Sequence, residues 1–179
     1  MPFLALDSEV RMGFEHLEAQ KSFEDSLPER VGLPSGEEVP RKLDLVAVGP
    51  GGHLLAVEVK AKATGLVRAA WQAAVHVARF RALLVEDPAW FETVLGGLAR
   101  QKADVGLLGR AKLPSFTNPP TIIPVLAAPD ERAEWLSCWR TELAPVLAAA
   151  RGQLDGLRLW RLDSTGQVTE VALAEGRGD

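Results

Sequence analysis

The stretch Leu43-Asp44-Leu45-Val46-Ala47-Val48-Gly49-Pro50-Gly51-Gly52-His53-Leu54-Leu55-Ala56-Val57-Glu58-Val59-Lys60-Ala61-Lys62 sets two β-rich runs on either side of a glycine-rich turn. That turn chemistry predicts an antiparallel hairpin of strands over 43–48 and 53–61. Period two puts Leu55, Val57, Val59 and Ala61 on one face of the second strand, and Ala56, Glu58, Lys60 and Lys62 on the other. Leu54 shares the second face, and a strand apolar on both faces at its start belongs inside a sheet. Glu58 and Lys60 therefore project from near a core and cost desolvation free energy unless they are paired. Asp44, between Leu43 and Leu45, points the same way as Val46 and Val48, and pairing across the turn brings it beside Glu58.

Upstream, Asp7 or Ser8 can cap a helix whose apolar residues Val10, Phe14 and Leu17 recur at helical spacing, with Pro28 ending the pattern. Residues 28–40 read as a loop with a short strand near 31–33 or 38–39. Downstream, Thr64 can cap a long Ala-rich helix reaching about Val85. Pro88 opens another over 89–102, weakened at Gly96-Gly97. Short apolar runs at 104–108 and 121–127 suit buried strands, separated by a basic loop over 109–120. Residues 130–151 read as helix with a bend at Pro145, and 157–162 with 167–173 as a terminal hairpin around Ser164-Thr165-Gly166. From Glu175 the chain is expected to fray. The mixture is that of an α/β protein, and its 179 residues suit one domain.

Hydrophobic residues make up 47% and charged residues 25%, an ordinary balance for a domain with its own core. The net charge of −4 argues against a basic nucleic-acid coat or a membrane-surface protein, so any polyanion has to be met locally. Residues 1–59 carry 5 basic against 11 acidic side chains and residues 113–179 carry 6 against 9, whereas 60–112 carry 9 against 4. That middle segment can face phosphates, although the same charges also suit the solvated faces of two helices. The lone Cys138 excludes an intramolecular disulfide framework and a Cys-rich zinc site, and suits a reducing cytoplasm. The first residues, Met1 to Asp7, lack a basic leader, so no export is expected. The longest apolar stretches fall short of the roughly 18 residues that cross a bilayer, so no membrane partner is expected either.

Two carboxylates converging with a lysine suit a hard divalent cation, because Mg²⁺ takes oxygen ligands and bridges to phosphate. Such an ion polarises a phosphodiester and acidifies bound water, while an ammonium two residues past the second carboxylate can orient that water. The backbone carbonyl of Val59 lies between the two side chains and is a further candidate ligand.

Asp44, 13 intervening residues, and Glu58-Val59-Lys60 on a hydrophobic strand resemble the PD-(D/E)xK nuclease superfamily. The resemblance covers about residues 8–127, with Leu43 where a proline usually precedes the aspartate. It implies a restriction-endonuclease-like αβββαβ core, with a central mixed sheet flanked by helices and a C-terminal helix and β-hairpin extension over 128–179. It also implies a Mg²⁺- or Mn²⁺-dependent nuclease acting on DNA, with Asp44 and Glu58 on the metal and Lys60 assisting the water. Many such nucleases pair up, so a homodimer is among the expectations. A glutamate of the first helix often joins the metal site; Glu15 is the favoured candidate and Glu18 the other.

On the helix after the lysine, Arg68, Gln72, His76 and Arg79 recur at spacings of four, four and three and form one polar stripe. Gln72-Ala73-Ala74-Val75-His76 is similar to the Gln-xxx-Tyr element of RecB-like branches, with histidine in place of tyrosine; Holliday-junction-resolvase-like branches are the related alternative. Gln72 is then expected to position substrate, and Lys62, Arg68, His76 and Arg79 to contact nucleic acid. The plainer alternative is a solvated helix face. His16 and His53 show no ligand spacing, and Trp135 and Trp139 suit either core or an interface. Two other readings of the chain stand beside the nuclease. One is a non-catalytic module on the same scaffold that holds nucleic acid or a protein partner; the other is a buried ion network in an unrelated α/β domain.

Overall fold

A computed structural model describes residues 3–11, 16–34, 36–62, 65–107, 115–117, 120–130, 139–165 and 167–171. Among the described residues the chain is an α/β protein built on one open six-stranded mixed sheet. Its strands are β1 (Leu4–Arg11), β2 (Lys42–Val48), β3 (Leu54–Val59), β4 (Ile122–Pro129), β5 (Arg158–Leu162) and β6 (Val168–Val171), in that spatial order. The β1–β2, β2–β3 and β5–β6 pairs are antiparallel, and β3–β4 and β4–β5 are parallel. The helices are α1 (Leu17–Val31), α2 (Leu66–Glu86), α3 (Gly96–Asp104) and α4 (Ala144–Ala149). One π-helical turn, Phe91–Leu95, leads into α3, and another, Trp139–Leu143, leads into α4.

The predicted hairpin forms with Leu45 opposite Val57 and Val48 opposite Leu54. Its connection is a 3₁₀ turn over Pro50–Gly52, closed by a hydrogen bond from Gly49 N to His53 O of 2.9 Å. Every residue of β3 from Leu54 to Glu58 is buried, as a central strand between β2 and β4 requires. The path from β3 to the parallel strand β4 runs through α2 and α3, supplying the long crossover that parallel pairing demands.

Helix α2 packs Val77 and Phe80 with Leu54 and Ala56 of the sheet, and its alanines with Leu126 and Ala128 of β4. Five alanines, Ala69, Ala70, Ala73, Ala74 and Ala78, are at most 3% exposed and let the helix backbone approach the strands closely. Phe23, Leu27 and Val31 of α1 and Val146 of α4 join the same core. The other sheet face gathers Ala47, Leu55, Val57, Val125 and Trp160, and Phe3 stacks on the Trp160 ring at 4.7 Å.

Several expectations are corrected. The helix read from Asp7 or Ser8 is instead strand β1, which pairs with β2 and carries a bulge between Ala5 and Asp7; α1 starts only at Leu17. A strand therefore precedes the first helix, and the order is not αβββαβ. The helical spacing of Val10, Phe14 and Leu17 misled because Leu17 is 81% exposed, while the buried stripe of α1 is Phe23, Leu27 and Val31. Pro28 does not end α1, which continues to Val31 and closes on Gly32 at φ 64°, the left-handed conformation that glycine adopts freely. No strand forms among residues 31–33 or 38–39. In place of a strand at 104–107, Asp104 ends α3 and Val105 and Leu107 lie exposed in the turn that follows. The proposed cap Thr64, the bulk of the 109–120 loop, residues 131–138 with Trp135 and Cys138, and the chain beyond Val171 lie outside the described residues. The terminal hairpin forms and extends the same sheet as the hairpin at 42–59.

Candidate active site

Continuing the β2–β3 register one step beyond Leu45–Val57 sets Asp44 opposite Glu58. The Val59 backbone N–H donates to Asp44 Oδ2 at 2.7 Å, so the carboxylate is tied to the end of β3 by main chain and not by rotamer preference alone. Lys60, the first residue past β3, donates its N–H to Ala127 O of β4 at 2.9 Å. Its ammonium lies 3.4 Å from Glu58 Oε2 and 3.9 Å from Asp44 Oδ2. Gly65, at the entry to α2, lies against the aliphatic stem of Lys60. The three residues singled out in the sequence thus meet at one end of the hairpin.

Asp44 keeps solvent contact, whereas Glu58 is 1% exposed. Burial, and then the negative charge of Asp44, push the Glu58 carboxyl up to about 8, against the pull of Lys60. Its Oε1 atom has no hydrogen-bond partner among the described residues. A buried acceptor oxygen without a protein donor is costly unless something else approaches it.

The helix residue that reaches Glu58 is His76. His76 Nε2 lies 3.3 Å from Glu58 Oε1 and 3.0 Å from the Lys42 carbonyl. The carbonyl only accepts, so it selects the tautomer in which Nε2–H donates to Lys42 O, and the Glu58 contact is not an ion pair. Burial, followed by the Arg79 charge, holds the imidazole down to about 3, so it is neutral near pH 7. Sequence periodicity places His76 on a polar stripe but not at Glu58, because α1 and the segment before β2 cover that part of α2.

The rest of the stripe diverges. Gln72, one turn before His76, is half-buried and lines a groove with Arg11, Lys42 and Arg68. Arg68 is exposed and pairs with Glu38 at 3.3 Å. Arg79 is 3% exposed; Nη1 donates to Pro40 O at 2.6 Å, Nη2 lies 3.9 Å from Glu24, and the guanidinium sits over the Phe23 ring. It braces the segment leading into β2 instead of facing solvent. Lys62 is exposed beyond β3, and Glu15 lies outside the described residues.

Among the described residues no group of three His, Cys, Asp or Glu side chains is arranged to hold a metal. Two hard carboxylates do converge, one with an unpartnered buried oxygen and a like-charged neighbour, and that donor set fits a divalent cation with oxygen preference. No protein-family model, curated protein or solved structure matches this chain. No helix among the described residues is long and apolar enough to cross a membrane.

Proposed function

We propose that this chain is a Mg²⁺- or Mn²⁺-dependent nuclease that hydrolyses DNA phosphodiester bonds with a PD-(D/E)xK-type site. The observation that carries the reading is the meeting of Asp44, Glu58 and Lys60 at one end of the hairpin, with the Glu58 Oε1 atom unpartnered. The run β2, β3, α2 and β4 resembles the part of a restriction-endonuclease-like core that bears the motif, with β1 and β5–β6 as further strands.

Asp44 and Glu58 would hold the ion, with the Val59 carbonyl as a third oxygen and Glu15 as a fourth. When bound, the metal polarises the phosphoryl oxygen and lowers the pKa of a water. Lys60 fixes a positive charge beside both carboxylates, where it orients that water and offsets charge developing on the phosphoryl oxygens. The backbone bond from Lys60 to β4 and the bond from Val59 N–H to Asp44 preorganise this geometry before substrate arrives. Water attacks phosphorus, one ester P–O bond breaks, and the alcohol leaves with a proton. Gln72 positions the substrate.

The alternative is a non-catalytic module binding nucleic acid or a protein. It draws on one observation: Lys60 already stands between the carboxylates and balances their charge. Nicking of supercoiled DNA in Mg²⁺ separates the two. The proposal expects cleavage by the wild type, and a loss of about 100-fold or more in Lys60→Ala with DNA binding retained. Equal cleavage by the variant removes Lys60 from the mechanism, and no cleavage by the wild type in either metal favours the binding module.

A further inference from the structure

Beside the carboxylate pair, the segment 38–42 and the start of α2 enclose an open groove of about 330 Å³. Its cations are Arg11 at the end of β1, Arg41 and Lys42 at the entry to β2, and Arg68 in the first turn of α2; Glu38 is the acidic group among its lining residues. The groove adjoins the site through two bonded neighbours. Lys42 precedes Asp44 by two residues on the same strand face, and its carbonyl accepts from His76, which touches Glu58. On the helix, Gln72 forms part of the groove one turn before His76.

Two of the four cations carry carboxylate partners: Lys42 meets Glu9 at 3.0 Å and Arg68 meets Glu38 at 3.3 Å, all four side chains being exposed. Exposed pairs of this kind contribute little and exchange readily for a stronger anion. The guanidiniums of Arg11 and Arg41 make no hydrogen bond and no close ion pair among the described residues, although the charge of Arg11 helps to hold the Glu9 carboxyl below its usual range. Two unpaired guanidiniums in one groove present flat donor forks suited to phosphate oxygens. Arg79, by donating to the Pro40 carbonyl, fixes the backbone that presents Arg41 and Lys42. The chain is acidic overall, so this local concentration of positive charge is selective for where a polyanion lands.

We propose that this groove is the track for the phosphodiester backbone next to the scissile bond, with Arg11 and Arg41 each taking one phosphate of duplex DNA. The assignment rests on the nuclease reading for the identity of the occupant, but it concerns residues outside the carboxylate–lysine set. It places DNA across the end of β1 and the first turn of α2, not along the basic segment 60–112 as a whole.

The test measures binding of a fluorescent duplex oligonucleotide in EDTA across a range of salt, for wild type, the double variant Arg11→Ala/Arg41→Ala, and Arg100→Ala. Arg100 lines a separate cavity with Ser115 and Thr117, near the Gly52 end of the hairpin, and serves as the charge control. Loss of two phosphate contacts predicts a salt slope smaller by about 1.8 and an affinity about 60-fold lower at 0.1 M salt, with Arg100→Ala near wild type. Because neither arginine is ion-paired, the double variant should fold, and its circular dichroism and melting temperature verify this. Equal affinity and slope in wild type and the double variant overturn the groove, even where Mg²⁺-dependent nicking is intact. Equal losses in the double variant and Arg100→Ala also overturn it, as does displacement of the duplex by poly-glutamate at equal charge. Wild-type binding lost in the double variant, in a protein that does not nick DNA, upholds the groove and rejects the nuclease.

Discussion

Glu58 and His76 are in contact, both are buried, and burial moves both toward neutrality, which fixes how stability depends on pH. Glu58 has a folded value of about 8 against an ordinary 4.5, so its contribution is full below about 4.5 and is lost as pH rises to 8. His76 is depressed from 6.5 to about 3, so its contribution is full above 6.5 and is lost as pH falls to 3. Between 4.5 and 6.5 the two slopes cancel. Urea unfolding of the metal-free protein should therefore show stability rising from pH 3 to 4.5, a plateau, and a fall above 6.5, with limbs of up to about 1.4 kcal/mol per pH unit. Glu58→Gln should abolish the alkaline limb and keep the acid one; an alkaline limb that survives in this variant would contradict the assignment. At this scale the sequence was informative for Asp44, Glu58 and Lys60, because charged residues on a strand otherwise apolar on both faces need partners. It was silent on the His76–Glu58 contact, which depends on how deeply α2 is covered, and on Arg79, whose burial a helical stripe does not reveal.

The hairpin positions the site, and its turn has a tight fit at the far end. Gly52 has φ 81°, and a Cβ added there would stand 2.1 Å from the Ser115 carbonyl oxygen. Gly52→Ala should then destabilise the protein by about 2 kcal/mol or more, from left-handed strain and a backbone clash together. Chemical denaturation measures this, and a change below 0.5 kcal/mol, taken as roughly the level of an ordinary surface substitution, would show that the turn gives way freely. Elements with an unbroken period were legible: the hairpin, the long Ala-rich helix, β4 and the terminal hairpin. Strand β1 was not, because its bulge between Ala5 and Asp7 interrupts the alternation, and Asp7-Ser8 resembles a helix cap. The run around Val105 and Leu107 misled in the opposite sense, since those apolar side chains are exposed in a turn and not buried in a strand.

Across the molecule, β2 and β3 hold the acidic residues, β4 anchors Lys60, and α2 covers Glu58, so the site joins elements far apart in the chain. A ligand bound only by the folded state stabilises it by mass action. At 100 times its dissociation constant, Mg²⁺ should raise unfolding free energy by about 2.7 kcal/mol in the wild type and far less in Asp44→Asn, as read by thermal melts. Equal gains in both proteins would place the ion elsewhere. The α/β class was legible from alternating strand and helix patterns, whereas the six-strand order was not, because the sequence pattern of β1 resembles the start of a helix. The proposed chemistry requires Asp44 and Glu58 to share a divalent cation. In the anomalous difference map of a crystal soaked in Mn²⁺, a shared cation gives one peak within about 2.2 Å of an oxygen from each carboxylate. A map with no peak there, while Mn²⁺ occupies another site or none, would contradict it.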